Sequence, residues 1–146
     1  MRKLRWHKQE TESSCLPACL RSVLNYYGIH ELEPALRRLC KTKPWGTHPI
    51  NVVSAAQAFG LDAYVDRADL SFLSNILREN IPPIATTFSE DEDALISHAF
   101  VVQKISAKSV KVLDPLRGEC SISLAEFDKL WSAAGYLVII IRKSRD

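Results

Sequence analysis

The sequence is short of the features that mark several whole classes of protein. It has no run of apolar residues near the roughly 18 that a bilayer-spanning helix requires; its longest candidate, Tyr136–Ile141, has the length of a strand. The first residues, Met1–Trp6, carry basic side chains, but neither an apolar stretch nor a small-residue cleavage site follows them, so no secretory signal is expected. Charge of one sign is not in excess: 19 Lys and Arg against 17 Asp and Glu leave a net +2. That is too little to argue for nucleic acid, and the two basic clusters, Met1–Lys8 and Arg142–Arg145, read as solvated ends. Internal repeats, low-complexity tracts and Pro/Gly-rich linkers are absent, as is a phosphate-binding Gly-x-x-x-x-Gly-Lys loop. Cys15 and Cys19 lie one helical turn apart but lack the second close pair that a zinc framework uses, so no metal is expected. Nothing points to a nucleotide or redox cofactor, and none is expected.

What remains is an ordinary globular composition. The 146 residues are 47% hydrophobic and 25% charged, enough for one domain, 1–146, with a core that needs no staples. The expected compartment is the cytoplasm, where Cys15, Cys19, Cys40 and Cys120 stay reduced.

The first half reads as helical. Leu16, Leu20, Val23, Leu24 and Tyr27 have the spacing of a buried helical face, which predicts a helix over Cys15–Tyr27, capped by Ser13 or Ser14 and stopped by Gly28. Further helices are expected at Leu32–Lys41, Ile50–Phe59 and Asp69–Arg78, with a short strand at Asp62–Val65. The second half is rich in Val, Ile, Phe and Thr, and predicts strands at Pro83–Thr87, Ala99–Ile105, Ser109–Leu113 and Tyr136–Ile141. Ser123, with Glu126 three residues on, opens a capped helix over Ser123–Trp131. Helices first and mainly antiparallel strands afterwards predict an α+β fold with segregated layers.

Chemistry concentrates on two residues. Cys15 stands at a helix start, where the positive end of the helix dipole favours the thiolate, the nucleophilic form of cysteine. The other three cysteines read as small buried hydrophobes. Of four histidines, His7 lies in the basic terminus and His30 and His48 lie in loops, whereas His98 opens an apolar strand. If Ser106-Ala107-Lys108 forms a three-residue hairpin loop, Ile105 faces Ser109 and His98 faces Leu116. Asp114 is then the diagonal neighbour of His98 and can orient its imidazole. A two-residue loop puts the two groups on opposite faces, and Asp-Pro is also an ordinary turn opener. Gln9, six residues before Cys15, is a candidate oxyanion donor together with the Cys15 backbone N–H. The acidic run Ser89–Asp93 reads as a solvated loop, with a preference for basic peptides as the sharper alternative.

With these positions placed, the sequence resembles the bacteriocin-processing peptidases, the papain-like family that cleaves leader peptides after a double glycine. The resemblance runs in order from Gln9 and Cys15 through Ala18-Cys19-Leu20 and Tyr26-Tyr27-Gly28. It continues through Leu36-Arg37-Arg38-Leu39, Gly46, the Ala55–Ala63 stretch with Gly60-Leu61, and Pro83-Ile84-Ala85. His98-Ala99-Phe100-Val101-Val102, Val112-Leu113-Asp114-Pro115, Gly118 and the Leu124–Trp131 helix complete it. It implies a papain-like fold with N-terminal helices packed on the sheet. It also implies Cys15 as nucleophile, His98 as general base and acid, Asp114 as orienting carboxylate and Gln9 as oxyanion donor. Two positions depart from the family pattern: Ser14 stands where an acidic residue is usual, and Leu16 where glycine is usual, beside the nucleophile. The implied partners are a peptide or precursor-protein substrate and a membrane exporter as a separate chain, with no nucleic acid and no direct membrane insertion. Two other readings stay open on the same fold, a non-catalytic domain that binds an export peptide and a thiol acyltransferase or amidohydrolase.

Overall fold

The computed structural model describes residues 3–91 and 94–144. Its helices are α1 (Cys15–Tyr26), α2 (Glu33–Leu39), α3 (Pro49–Ala58), α4 (Leu70–Arg78) and α5 (Leu124–Ala133). Its strands are β1 (Leu61–Arg67), β2 (Ile84–Asp91), β3 (Ala94–Ile105), β4 (Ser109–Asp114), β5 (Gly118–Ser123) and β6 (Leu137–Lys143). Side-chain oxygens or nitrogens set several helix starts. Asp69 accepts from Phe72 N, Ser123 from Glu126 N and His48 Nδ1 from Ile50 N, each satisfying a backbone donor that the first turn leaves unpaired. α2 is shorter than its apolar spacing suggests, because the chain closes on itself at Cys40 and Lys41.

The six strands form one antiparallel sheet in the order β1-β6-β2-β3-β4-β5. Helices cover both faces. Leu16, Leu20, Val23 and Leu24 of α1, Leu36 of α2 and Val52, Val53 and Ala56 of α3 pack with Ile84, Val101, Ile139 and Ile141. On the opposite face Leu73 and Ile76 of α4 and Phe127 and Trp131 of α5 pack with Phe100, Val102, Val138 and Ile140. The alternation of β6 explains this: successive residues of Val138–Ile141 enter the two cores in turn, and all four are buried. The N-terminal helices pack on the sheet as expected, while α4 and α5 supply a second layer on its other side.

Three strand expectations are corrected. β5 was not anticipated, since Gly118-Glu119-Cys120 carries a weak strand signal, and it forms because β4 offers a free edge to Gly118–Ser123. Ser89–Asp91 continues β2 as a strand, paired with the apolar start of β3 through Asp91↔Ala94; Glu92 and Asp93 lie outside the described residues. β3 consequently begins at Ala94, and His98 sits inside the strand, opposite Thr87, instead of opening it.

The β3–β4 register also differs from expectation. Ile105 pairs with Val110, not Ser109, so the turn end is one residue out. Gln103 then has no partner, because Val102↔Val112 and Lys104↔Lys111 are consecutive pairs. This bulge absorbs the extra residue, and Val101↔Leu113 falls on the expected register. Pairing ends there, so His98 makes no pair with Leu116. Without the bulge the turn-end register would carry Asp114 opposite Val101, on the face away from His98. The bulge keeps the two on one face.

Candidate active site

Cys15 is the first residue of α1, with Ser14 as the N-cap. Ser14 does not cap through its side chain; its hydroxyl accepts from Thr11 N and donates to Thr11 O. The Thr11–Ser14 turn is fixed further by Glu33, whose Oε1 accepts from Glu10 N and whose carboxylate lies near the Ser14 hydroxyl. Burial raises the pKa of Glu33 despite those contacts and the nearby Arg37. A buried carboxylate on α2 thus holds the approach to the cysteine. At the helix start the N–H groups of Cys15 and Leu16 are among those with no intrahelical acceptor, and Pro17 has no N–H.

His98 lies between two partners. Its Nε2 is 2.8 Å from Asp114 Oδ1, and the Cys15 thiol on its other side is near enough to act on its charge. Since Nε2 is engaged by Asp114, Nδ1 is the nitrogen left for the thiol. Burial works against a charged imidazole, yet the bond to Asp114 and the influence of Asp114 and Cys15 on its charge outweigh it and raise His98 to about 9. Burial likewise opposes the Asp114 carboxylate, but His98 and the backbone N–H groups of Leu116 and Arg117 hold its pKa below 3.8. The arrangement favours an imidazolium beside the Asp114 carboxylate.

A strap formed by the N-terminal segment fixes the far side of Asp114. Trp6 Nε1 donates to Asp114 O at 2.9 Å and Gln9 N donates to Pro115 O at 2.9 Å. Gly118 closes the β4–β5 turn at φ +85°, and the Trp6 ring lies 3.7 Å from where its Cβ would stand. A side chain there would meet both an unfavourable backbone and the indole. The Gln9 amide does not line the cleft: Nε2 donates to Thr11 O (2.8 Å) and to Glu12 O (3.4 Å), and Oε1 is buried without a partner among the described residues. The structure therefore brings Cys15, His98 and Asp114 together and holds Gln9 beside them, turned toward its own loop.

Cys15 and His98 line one cleft of about 720 Å³. One wall is the α2–α3 connection, with Lys41, Lys43, Trp45 and His48; the other is Thr86, Thr87, Phe88 and Ser97 of β2 and β3. Leu16 forms part of the floor and is 5% exposed. Sequence reasoning missed the α2–α3 wall and Trp6. A lone Trp-Gly turn and a tryptophan in a basic terminus carry no chemical signature until the fold puts them next to Cys15 and Asp114. Ser89 and Glu90 do not line the cleft. The remaining thiols are poor nucleophiles: burial pushes Cys19 well up, Cys40 to about 12 and Cys120 up.

Comparison with known proteins gives a match to the model of the peptidase C39 family over residues 3–145. The chain is 29% identical over 140 residues to the pediocin PA-1 transport/processing ATP-binding protein PedD of Pediococcus acidilactici, covering 92% of this chain and 19% of that protein. It is 28% identical over 125 residues to the lactococcin-G-processing and transport ATP-binding protein LagD of Lactococcus lactis, covering 85% and 17%. It thus spans about a fifth of those relatives. An uncharacterized protein of Methanothermobacter marburgensis is 27% identical over 139 residues, which are 95% of this chain and 89% of that one. The crystal structure of the peptidase domain of Streptococcus ComA, a bi-functional ABC transporter, superposes with a TM-score of 0.82 at 24% identity, covering 97% of this chain and all (100%) of that one. A double glycine motif protease from an AMS/PCAT transporter, in complex with the leader peptide, gives 0.80 at 23% identity, covering 97% and 93%. These two show that the chain has the fold of those peptidase domains.

Proposed function

The chain belongs to the peptidase C39 family, and on that premise we propose that it is a cysteine endopeptidase that cleaves a leader or precursor peptide through Cys15, His98 and Asp114. The observation that carries this reading is His98, hydrogen-bonded to Asp114 and lining one cleft with Cys15, which acts on its charge.

The Cys15 thiolate attacks the carbonyl carbon of the scissile bond, and the carbonyl oxygen takes up the electron pair. The backbone N–H of Cys15 receives that oxyanion, and Gln9 provides a second donor by turning its longer, 3.4 Å bond away from Glu12. Collapse breaks the C–N bond, with the imidazolium of His98 giving its proton to the leaving amine. Water then attacks the thioester while His98 removes its proton, releasing the acid and restoring the thiolate. Asp114 holds the ring and supports its charge throughout. Relatives named as processing and transport proteins support a peptide destined for export as the substrate. Leu16, buried in the cleft floor beside the nucleophile, limits room there and favours small residues such as glycine at the cleavage site.

The test is selective labelling. At mildly acidic pH an alkylating agent should modify Cys15 much faster than Cys19, Cys40 or Cys120, and Cys15→Ala should abolish hydrolysis of internally quenched peptides with a central Gly-Gly while still binding them. Equal labelling of all four thiols, or hydrolysis that survives Cys15→Ala, would sink the assignment.

A further inference from the structure

The cleft continues sideways into a second depression of about 520 Å³, and the two share Ser13, Lys41, Lys43 and Pro44. Its rim also carries Arg38 and the Thr11 and Thr42 side chains. The charge around it is unbalanced. Among the described residues no carboxylate lines it, Glu12 lining the main cleft instead; Glu33 pairs with Arg37 at 3.2 Å, and Glu10 with Arg37 at 3.4 Å and Arg21 at 3.9 Å. Arg38, Lys41 and Lys43 make no ion pair among the described residues.

Lys41 is one of three non-glycine residues, with Asn80 and Tyr136, that hold a left-handed backbone beyond a helix end, and the one of them that lines the cleft. α2 ends with Thr42 N donating to Arg37 O and Lys41 N to Arg38 O, which places Lys41 in the left-handed region at φ +53°. Glycine is the default at this position, because a side chain is penalised there. Strain of this kind persists where the surroundings enforce it and is concentrated at binding sites. The turn beyond is firmly built: Lys43 and Gly46 exchange two backbone bonds of 2.9 Å, and the Thr42 and Thr47 hydroxyls are 2.7 Å apart. It holds Lys43 on the rim and leaves Trp45, 83% exposed, facing the cleft.

We propose that this depression is a subsite for a carboxylate of the peptide substrate, received by Lys41 and Lys43 with Arg38 behind them, while Trp45 covers the adjoining stretch of chain. This rests on the peptidase reading above and adds to it a preference for acidic peptides. The carboxylate is supplied by an Asp or Glu side chain or by a peptide C-terminus.

The test uses internally quenched peptides with a central Gly-Gly, each flanking position carrying Glu or Gln in turn, with free or amidated C-termini. At one position kcat/KM should favour Glu by about fivefold, the scale expected of a few partly exposed charge pairs, and the advantage should shrink as salt is raised. Lys43→Glu should invert it toward Lys-containing peptides. Lys41→Gly should bring the Glu-to-Gln ratio close to unity while leaving Tm unchanged or higher, since glycine relieves the left-handed backbone; a purely structural lysine would not uncouple these readouts. An advantage confined to free C-termini would identify the terminal carboxylate as the ligand. Equal rates for every Glu/Gln and free/amidated pair, or a preference that survives both variants, overturns the subsite. If no peptide is cleaved, the peptidase reading fails separately. Anisotropy of labelled Glu and Gln peptides with Cys15→Ala then decides the subsite by itself, tighter Glu binding supporting it and equal binding overturning it.

Discussion

His98 is where the electrostatics of the molecule converge. Burial pulls its pKa down, and Asp114 and Cys15 pull it up to about 9, so the imidazole stays protonated across the neutral range. Chemistry that needs the imidazolium should therefore fall away as pH rises through about 9. Asp114→Asn removes the charge that supports this, and the basic limb of the peptide-cleavage rate should move toward the ordinary histidine range near 6.5. An unchanged limb would mean that Asp114 does not act on His98. His98→Ala should leave a peptidase slower by several orders of magnitude but folded, as read from turnover and circular dichroism together. These residues had individual chemical signatures in the sequence. Lys41 and Trp45 had none, because an exposed lysine or tryptophan has no meaning until its neighbours are known.

Among the elements, the N-terminal strap and the capped helix α5 make a useful contrast. Trp6→Phe keeps an aromatic ring over Gly118 but removes the indole N–H bonded to Asp114 O. The stability loss should be about 0.5–1.5 kcal/mol, the worth of one such bond, yet the pH profile of peptide cleavage should shift because the strand end carrying Asp114 is loosened. Ser123→Ala removes the α5 cap, bonded to Glu126 N at 3.1 Å, and should cost about 1 kcal/mol with no change in that profile. Denaturant titration beside the pH profile separates the two cases. The β3–β4 hairpin shows what local pattern leaves open. The alternation in Ala99–Ile105 and Ser109–Leu113 revealed two strands, but neither the four-residue turn nor the bulge at Gln103 could be read from it, and their offsets cancel before Asp114. Apolar periodicity sets which face is buried; residue count across a turn depends on hydrogen bonds made only on folding.

For the molecule as a whole, the His98–Asp114 pair links the site to stability. The His98 pKa is raised from 6.5 to about 9 on folding, so its contribution is complete below about 6.5, declines between these values and is gone above 9. The Asp114 pKa is lowered from 3.8, so its contribution is present above 3.8 and is lost as pH falls through the lower, folded value. The wild type should therefore lose on the order of 2–3 kcal/mol between pH 6 and pH 10 that His98→Asn does not lose, measured by denaturation at matched ionic strength. A parallel decline in the variant would show that the pair contributes nothing. The two cores are less sensitive to pH: Ile139, fully buried and paired with Val65 and Ile84, should cost about 2–5 kcal/mol when replaced by Ala.

The sequence by itself determined the helical first half, most of the strands, the capped helix α5 and the chemical candidates Cys15, His98, Asp114 and Gln9, because periodicity, caps and residue type are local. Only the tertiary structure decided that Cys15, His98 and Asp114 meet, that the Gln9 amide rests on Thr11, that helices cover both faces of the sheet, and that a lysine-lined wall faces the thiol. All but the Gln9 contact, which spans two positions, depend on where residues distant in the chain come to lie. Among Cys15, His98 and Asp114 the nearest pair, His98 and Asp114, is separated by 16 positions, and one unpaired residue, Gln103, keeps them on the same face.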